Sequence, residues 1–480
     1  MFCAQKKGTV VNMKKITAFL ILAFMTAIIF TGCFPKKSDT SDTGTPEVKI
    51  PTTGAELDEL AETKLAKLDS YTGIQTLNAN MTVSGIDFSI LSTSKNRVSG
   101  QRSDIYSALT ESTLITDYTN PQTHAKGTET VELTEGFQNG YMFRSSYVGL
   151  SSGKMKSEMS KENYLNYAAK KAEKREAKLG NNTPKSSELE KLENGDWKAT
   201  LKDFDKEYVN NYVQSLLGND IQFDTTIDSM IVTITTTEDM VYKSIAIEFM
   251  LNTPEDAENT LNSLSATFAF SDINSTTIEA YDLTEYTLVP DLRSLYEIEN
   301  ALENAKEADF GSCDLTFDYS QSNVNQEYAL KYNKENGLSY TLSISQGKEK
   351  QVLNYSDQKL TSEYYSDGNK LSESTANSND EAQTSVINSI IDYADFNPYL
   401  VTNIYPSEEE ENTFMLHLLP SEAQKPSSSY TYLLIELKIT LENERIKKYC
   451  CTMKYYYRHV ISDDPIEKIE TYATYDWSKK

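Results

Sequence analysis

From residue 55 onward the chain writes one order of elements twice, and that repetition restricts the fold more than any other feature of the sequence. Each half opens on an amphipathic helix. Leu57, Leu60, Ala61, Leu65 and Leu68 recur near a helical period, as do Leu292, Leu295, Tyr296, Ile298, Leu302 and Ala305. Strands come next, over 79–84 and 87–91 in the first half and over 313–319, 327–332 and 339–345 in the second. Cys313, Leu315, Phe317 and Tyr319 alternate with Asp314, Thr316 and Asp318, the period of a strand with one buried face. Asn139-Gly140 and Asp367-Gly368 read as two-residue hairpin turns, because both positions tolerate positive φ. A second helical stretch follows in each half. Phe204, Tyr208, Tyr212, Val213, Leu216 and Leu217 share a face that ends at Gly218; Val386, Ile387, Ile390, Ile391 and Ala394 are the counterpart. Long strands close the halves, over 229–236, 241–251, 264–270 and 277–287, and over 414–419, 430–441, 446–457 and 469–475.

Local matches support a duplication. The segment from Ser271 to Tyr281 can be laid on the segment from Ser462 to Tyr472 without a gap, and Ser, Asp, Ile, Glu and Tyr coincide. Met240 to Ile245 matches Arg445 to Cys450 in pattern. The expected organisation is two related domains, 55–289 and 291–478, the first with a basic helical insertion at about 154–195. Runs of strands around one or two helices make each domain α+β with an antiparallel sheet.

That order, with the hairpin at Asn139-Gly140-Tyr141, resembles the LolA/LppX-like lipoprotein-carrier superfamily. The resemblance covers nearly all of the chain after residue 54, twice. It implies two tandem curved antiparallel sheets, each an unclosed half-barrel with helices packed on the concave face. It also implies that the concavity binds lipids, acyl chains or partner lipoproteins.

The N-terminus says where such domains would stand. Lys14 and Lys15 precede an uncharged run from Ile16 to Phe30, and Thr31-Gly32-Cys33 follows. A short basic region, an apolar stretch and small residues before a cut describe a secretory signal, too short for a spanning helix. The Thr-Gly-Cys ending resembles a bacterial lipobox, whose Cys is acylated and becomes the mature N-terminus. Residues 1–32 are therefore read as signal, with Met13 an alternative start, and 33–54 as the acylated Cys and a flexible tether rich in Ser, Thr, Gly and Pro. The expected location is the extracytoplasmic face of the cell membrane, held by acyl chains such as palmitate on Cys33.

Charge and chemistry narrow the function. The chain has 46 basic and 71 acidic residues, a formal charge of −25, which repels nucleic-acid phosphate. Its 31 Tyr argue against wholesale disorder. The sequence contains no CxxC, HExxH or GxSxG, and no cofactor or metal is expected. Ser151 to Lys154 and Ser356 to Lys359 satisfy SxxK only as chance matches in a chain rich in both residues. The run from Glu408 to Glu411 reads as a solvated turn. Cys313, placed in the first strand of the second domain, can pair with Cys450 or Cys451, or all three can stay reduced. The chain is therefore read as non-enzymatic. An amphipathic or lipid-like ligand would meet inward-facing strand residues, by alternation Met81, Val83, Val232, Ile234, Ile245, Ile247 and Phe249. The same alternation equally gives a core covered by helices. The alternative function is docking of an envelope protein or an anionic wall polymer, through the acidic surface or the basic stretch from Lys154 to Lys178.

Acylation at Cys33 has a direct test. Expressed in a bacterium, the chain should incorporate an alkyne-labelled fatty acid, and Cys33→Ser should abolish the label. A chain begun at Met13 should label equally. Label on the Cys33→Ser variant would remove the anchor from this reading.

Overall fold

The structure is a computed structural model that describes residues 50–119, 126–148, 151–180, 182–217, 223–254, 257, 259–307, 312–321, 324–333, 338–380, 382–383, 398–419, 432–456 and 467–474. Cys33, the signal, most of the tether, His124, His459 and the helix expected at 386–394 lie outside them. Contacts divide the chain into two units. The first holds residues up to 149 and 158–286, the second 150–157 and 287–480.

The first unit begins with α1 (Gly54–Leu65). Thr53 caps it: its backbone is extended and its hydroxyl accepts the Glu56 amide hydrogen at 3.2 Å. The Glu56 carboxylate reaches back to the Thr52 amide at 2.8 Å, so two otherwise unpaired donors are satisfied. Leu57, Ala61 and Leu65 follow at four-residue steps and are all buried. Each fully buried Leu stabilises the fold by roughly 1.5–3 kcal/mol.

A sheet follows. Its strands are β1 (Tyr71–Val83), β2 (Ile86–Ser99), β3 (Ser107–Thr119), β4 (Lys126–Gln138) and β5 (Tyr141–Val148). In the second unit, β6 (Ser151–Glu158) comes next in the chain. The first unit resumes with α2 (Lys161–Leu179), β7 (Ser186–Lys191), β8 (Trp197–Lys202) and α3 (Lys206–Leu217). It ends with β9 (Thr226–Thr236), β10 (Tyr242–Asn252) and β11 (Thr260–Ser271). Within this unit the strand order is β5-β4-β3-β2-β1-β11-β10-β9-β8-β7, and each neighbouring pair is antiparallel. The β1–β2 and β4–β5 hairpins close on Ser84-Gly85 and Asn139-Gly140, all four at positive φ.

In the second unit, β12 (Thr287–Leu288) pairs in parallel with β6, and α4 (Arg293–Glu307) follows. The Leu292 amide donates to the Ser157 hydroxyl at 3.1 Å. Eleven strands then form one sheet: β13 (Ser312–Gln321), β14 (Val324–Asn333), β15 (Ser339–Gln346), β16 (Glu349–Ser356), β17 (Lys359–Ser366), β18 (Asn369–Asn377), β19 (Val401–Pro406), β20 (Thr413–Leu418), β21 (Tyr432–Glu442), β22 (Arg445–Tyr456) and β23 (Glu467–Thr474). Its order, β18-β17-β16-β15-β14-β13-β23-β22-β21-β20-β19, carries the same ten-strand order as the first unit. Each unit is thus α+β, with an open antiparallel sheet and a helix before its first strand.

Two expectations differ from this structure. Residues 277–287 were read as a strand, but the chain leaves the ladder after Ser271: Asp272 and Asn274 adopt positive φ. The segment instead packs Ile278, Tyr281, Leu283 and Tyr286 onto Leu109 and Phe143. Gln138 fastens it, donating to the Glu279 carbonyl at 3.0 Å and accepting from the Tyr281 amide at 2.7 Å. The match of Ser271–Tyr281 to Ser462–Tyr472 therefore joins unlike places, since β23 occupies the position of β11.

The core over the first sheet joins Leu57, Ala61 and Leu65 of α1 to Ala199, Leu201, Ile234, Met240 and Tyr242. The Tyr242 hydroxyl donates to Asp58 on α1 at 2.5 Å. Burial raises the Asp58 carboxyl, and that hydrogen bond offsets the rise only in part. A raised carboxyl favours the folded state most below its unfolded value near pH 4, and this contribution is lost as pH rises through the folded value. Asp58→Asn keeps an acceptor for Tyr242 and removes the cost of burying the charge. Between pH 4 and 8 the variant's melting temperature should fall less than that of the parent. Equal slopes in the two proteins would show that Asp58 stays solvated.

Candidate functional site

Paired residues in an antiparallel ladder project to one face, so the register reads out the polarity of the face under the helices. One row runs Leu201, Val232, Ile247, Ala266, Leu77, Ser92, Leu114, Val131. The next runs Ala199, Ile234, Ile245, Phe268, Gln75, Ser94, Ser112, Leu133, Ser146. A third runs Phe270, Gly73, Asn96, Thr110, Glu135, Arg144. The face is apolar from β8 to β11, and from β1 to β5 polar residues enter it beside Leu77, Leu114, Val131 and Leu133.

The polar half is buried. Gln75, Ser92, Ser94, Ser112 and Ser146 are all covered. Ser94 and Ser112 share a hydrogen bond of 3.0 Å, and the Thr110 hydroxyl donates to the Asn96 carbonyl oxygen at 2.7 Å. Arg144 is 2 % exposed and stands 3.6 Å from Glu135. The Thr116 hydroxyl, on a residue 0 % exposed, and the Asn96 amide nitrogen make no hydrogen bond within the described chain. Burying such groups costs free energy that a plain apolar core avoids.

The first turn of α2 lies over this band. Ser160 caps the helix and accepts the Asn163 amide hydrogen at 3.2 Å. Tyr164 stacks on Phe137 at 4.9 Å and lies 6.1 Å from Tyr106. Burial, then the Glu135 charge, pushes the Tyr164 hydroxyl well above the usual phenol range. Lys161 donates to the Ser103 carbonyl at 2.6 Å and sits over the Tyr106 ring. Ala168, Ala172 and Leu179 are the buried residues farther along, and Gly180 ends the helix at φ +85°. Over the apolar half, α3 places Tyr212 against Phe249 at 6.3 Å, continuing a file with Tyr208 and Phe204.

Five of the seven expected lining residues are buried: Met81, Val83, Ile234, Ile247 and Phe249. Val232 and Ile245 are half-buried and pack against the α1 core. The structure brings Val232, Ile234, Ile245, Ile247 and Phe249 together on one face, and Met81 and Val83 extend it along β1 toward the β1–β2 hairpin. Sequence reading missed the polar band. The available signal was in β2, where Phe88 and Ile90 give way in phase to Ser92, Ser94 and Asn96.

Other singled-out residues fall apart in space or find ordinary partners. The two SxxK segments lie in β6 and in the β16–β17 turn, where Asp357 and Gln358 take positive φ. Glu410 pairs with Lys438 at 3.0 Å and Lys448 at 3.7 Å, which holds its carboxyl below the usual range. The Tyr364 and Tyr365 hydroxyls donate to Glu349 and Glu363. The stretch from 154 to 195 comprises most of β6, then α2 and β7, and β7 stands where β19 stands in the other sheet. Among the described residues no helix is long and apolar enough to cross a membrane.

Cys450 and Cys451 are free thiols. Cys450 and Asp318 share the β23 partner Tyr472, and Cys313 lies five residues along β13 from Asp318. That register separates Cys313 from Cys450 by roughly 17 Å along the strands and about 10 Å across them. A disulfide needs Cα atoms about 4.4–6.8 Å apart, so this geometry opposes the pairing of Cys313 with either neighbour.

No family model matches the chain, and no curated protein matches it. Two solved structures align with it at low similarity. LprF from Mycobacterium bovis is 10 % identical, spans 48 % of this chain and 96 % of its own, and gives a TM-score of 0.23. A putative AttH from Nitrosomonas europaea is 7 % identical over 84 % of this chain and 92 % of its own, with a TM-score of 0.13.

The thiols make a testable set. Alkylation of the unreduced, unfolded protein should mark Cys313, Cys450 and Cys451 alike. In the native protein Cys451, whose thiol burial pushes up to about 11, should react far more slowly at pH 8 than Cys450. An unreduced form that takes up one label in place of three would establish a disulfide.

Proposed function

We propose that the protein is a non-catalytic binding module, tethered to the extracytoplasmic face of a membrane through Cys33, and that its first unit takes an amphipathic ligand against the face beneath α2 and α3. One observation carries this reading: a single buried face is apolar on β8 to β11, and on β1 to β5 it also carries buried Gln75, Ser92, Ser94, Ser112 and Ser146. An apolar tail matches the side of Ile247 and Phe249. A polar head matches Ser94, Ser112, Asn96 and Thr116, two of which hold polar atoms without a partner among the described residues. Because these residues are covered, binding requires the helices to move. α2 is the one to move, since its described buried residues Ala168, Ala172 and Leu179 carry less apolar area than the Leu57, Ala61 and Leu65 contact of α1.

A second reading has its own support. Five of the seven lining residues are already buried within the protein, as in a module that docks an envelope protein and holds no small ligand.

The chain from Phe34 onward, purified without its anchor from a membrane-bearing host, distinguishes them by native mass spectrometry followed by organic extraction. A discrete added mass that extracts as an amphiphile, and that Ile247→Asp removes, is expected. A clean unliganded mass that stays unchanged after incubation with host envelope lipids would refute ligand binding and favour docking.

A further inference from the structure

The second half of α2 stands apart from the rest of the chain in charge. Between residues 170 and 178 lie Lys170, Lys171, Lys174, Arg175 and Lys178 against Glu173 and Glu176, in a protein of net charge −25. At 100° per residue the five basic positions share an arc of about 140°, and the two acidic positions fall outside it. Ala168, Ala172 and Leu179 are the buried positions, whereas Lys170 and Lys174 are exposed. The basic arc therefore flanks the buried positions, and Lys170 and Lys174 on it are open to solvent.

We infer that this flank of α2 is a contact surface for an anionic bilayer. Charge complementarity is the first argument: each Lys near an anionic surface adds a favourable contribution, and this helix gathers five basic residues in a chain of net charge −25. Reach is the second. From Cys33 to Ile50 the chain has 17 steps, which extend at most about 60 Å, so an anchored first unit can touch the membrane that holds it. From the proposed function the inference takes only the place beside a membrane, and it needs no ligand. Where a ligand does bind, contact at α2 would bring the helix that covers the polar band to the source of the ligand.

The chain from Phe34 onward, which contains every described residue and no acyl group, is the material for the test. It should sediment with phosphatidylcholine vesicles containing phosphatidylglycerol, remain free with phosphatidylcholine alone, and be released by salt. Lys170→Glu, Lys171→Glu and Lys174→Glu together should weaken the partition roughly a hundredfold. Lys126→Glu, Lys348→Glu and Lys350→Glu make the same charge change elsewhere and should weaken it much less. Circular dichroism guards against loss of the helix, and the corresponding Gln variants give a milder loss in the same direction. Equal binding to both vesicle types, or equal losses in the two triple variants, would overturn the inference. Neither outcome bears on the extraction experiment, so the two readings fail separately.

Discussion

The ladder of the first sheet fixes what can happen in this unit. Ten strands in one antiparallel order force Leu201, Val232, Ile247, Ala266, Leu77, Leu114 and Val131 onto one face. A face that apolar cannot be left in water. Helices cover it, and the chain supplies them in unequal strengths. α1 meets an apolar surface with three buried residues at four-residue steps and locks to β10 through Tyr242 and Asp58. α2 meets Phe137 and Tyr106 through the Tyr164 ring.

Duplication gives an internal check on which features the architecture requires. In both units the third and fourth strands contribute two aromatic residues at the same end. Tyr106 and Phe137 hold Tyr164 at the start of α2; Tyr340 and Tyr355 stack at 5.7 Å and donate to Gln383 and Asp380 just after β18. The chain that follows the sixth strand is thus clasped in each unit, by stacking in one and by hydroxyl hydrogen bonds in the other. Burial and the Asp380 carboxylate push the Tyr355 hydroxyl up to about 12, so that clasp keeps its proton across the ordinary pH range. What recurs is the grip on this segment, and what differs is its chemistry.

The sequence made some of this legible for identifiable reasons. Hairpins at Asn139-Gly140 and Asp367-Gly368 could be read because only such residues enter positive φ without strain, and both turns adopt it. α1 could be read because its apolar spacing faces one apolar surface. The segment from Thr277 to Tyr286 could not, because its Thr, Ile and Tyr are strand-forming residue types, yet Ile278, Tyr281, Leu283 and Tyr286 pack on a sheet face outside any ladder. Local pattern reports that a side chain is buried and not what buries it. The polar band failed to appear for a related reason. Strands rich in Ser and Thr look half-exposed on either face, and only register shows that Ser92, Ser94 and Ser112 are on the covered side.

Two unrelated demands meet on α2, and their meeting explains its composition. A helix that covers a permanent core gains from Leu and Ile, as α1 does. On α2 the described buried residues are Ala168, Ala172 and Leu179, and the Tyr164 ring stacks on Phe137. The remaining positions are then free of the core, and five of the last ten carry Lys or Arg. Weak docking and positive charge are therefore compatible on this helix in a way they would not be on α1, where displacing Leu57 and Leu65 would expose the main core. The helix whose described buried residues are mostly alanine is also the one that carries the run of Lys and Arg.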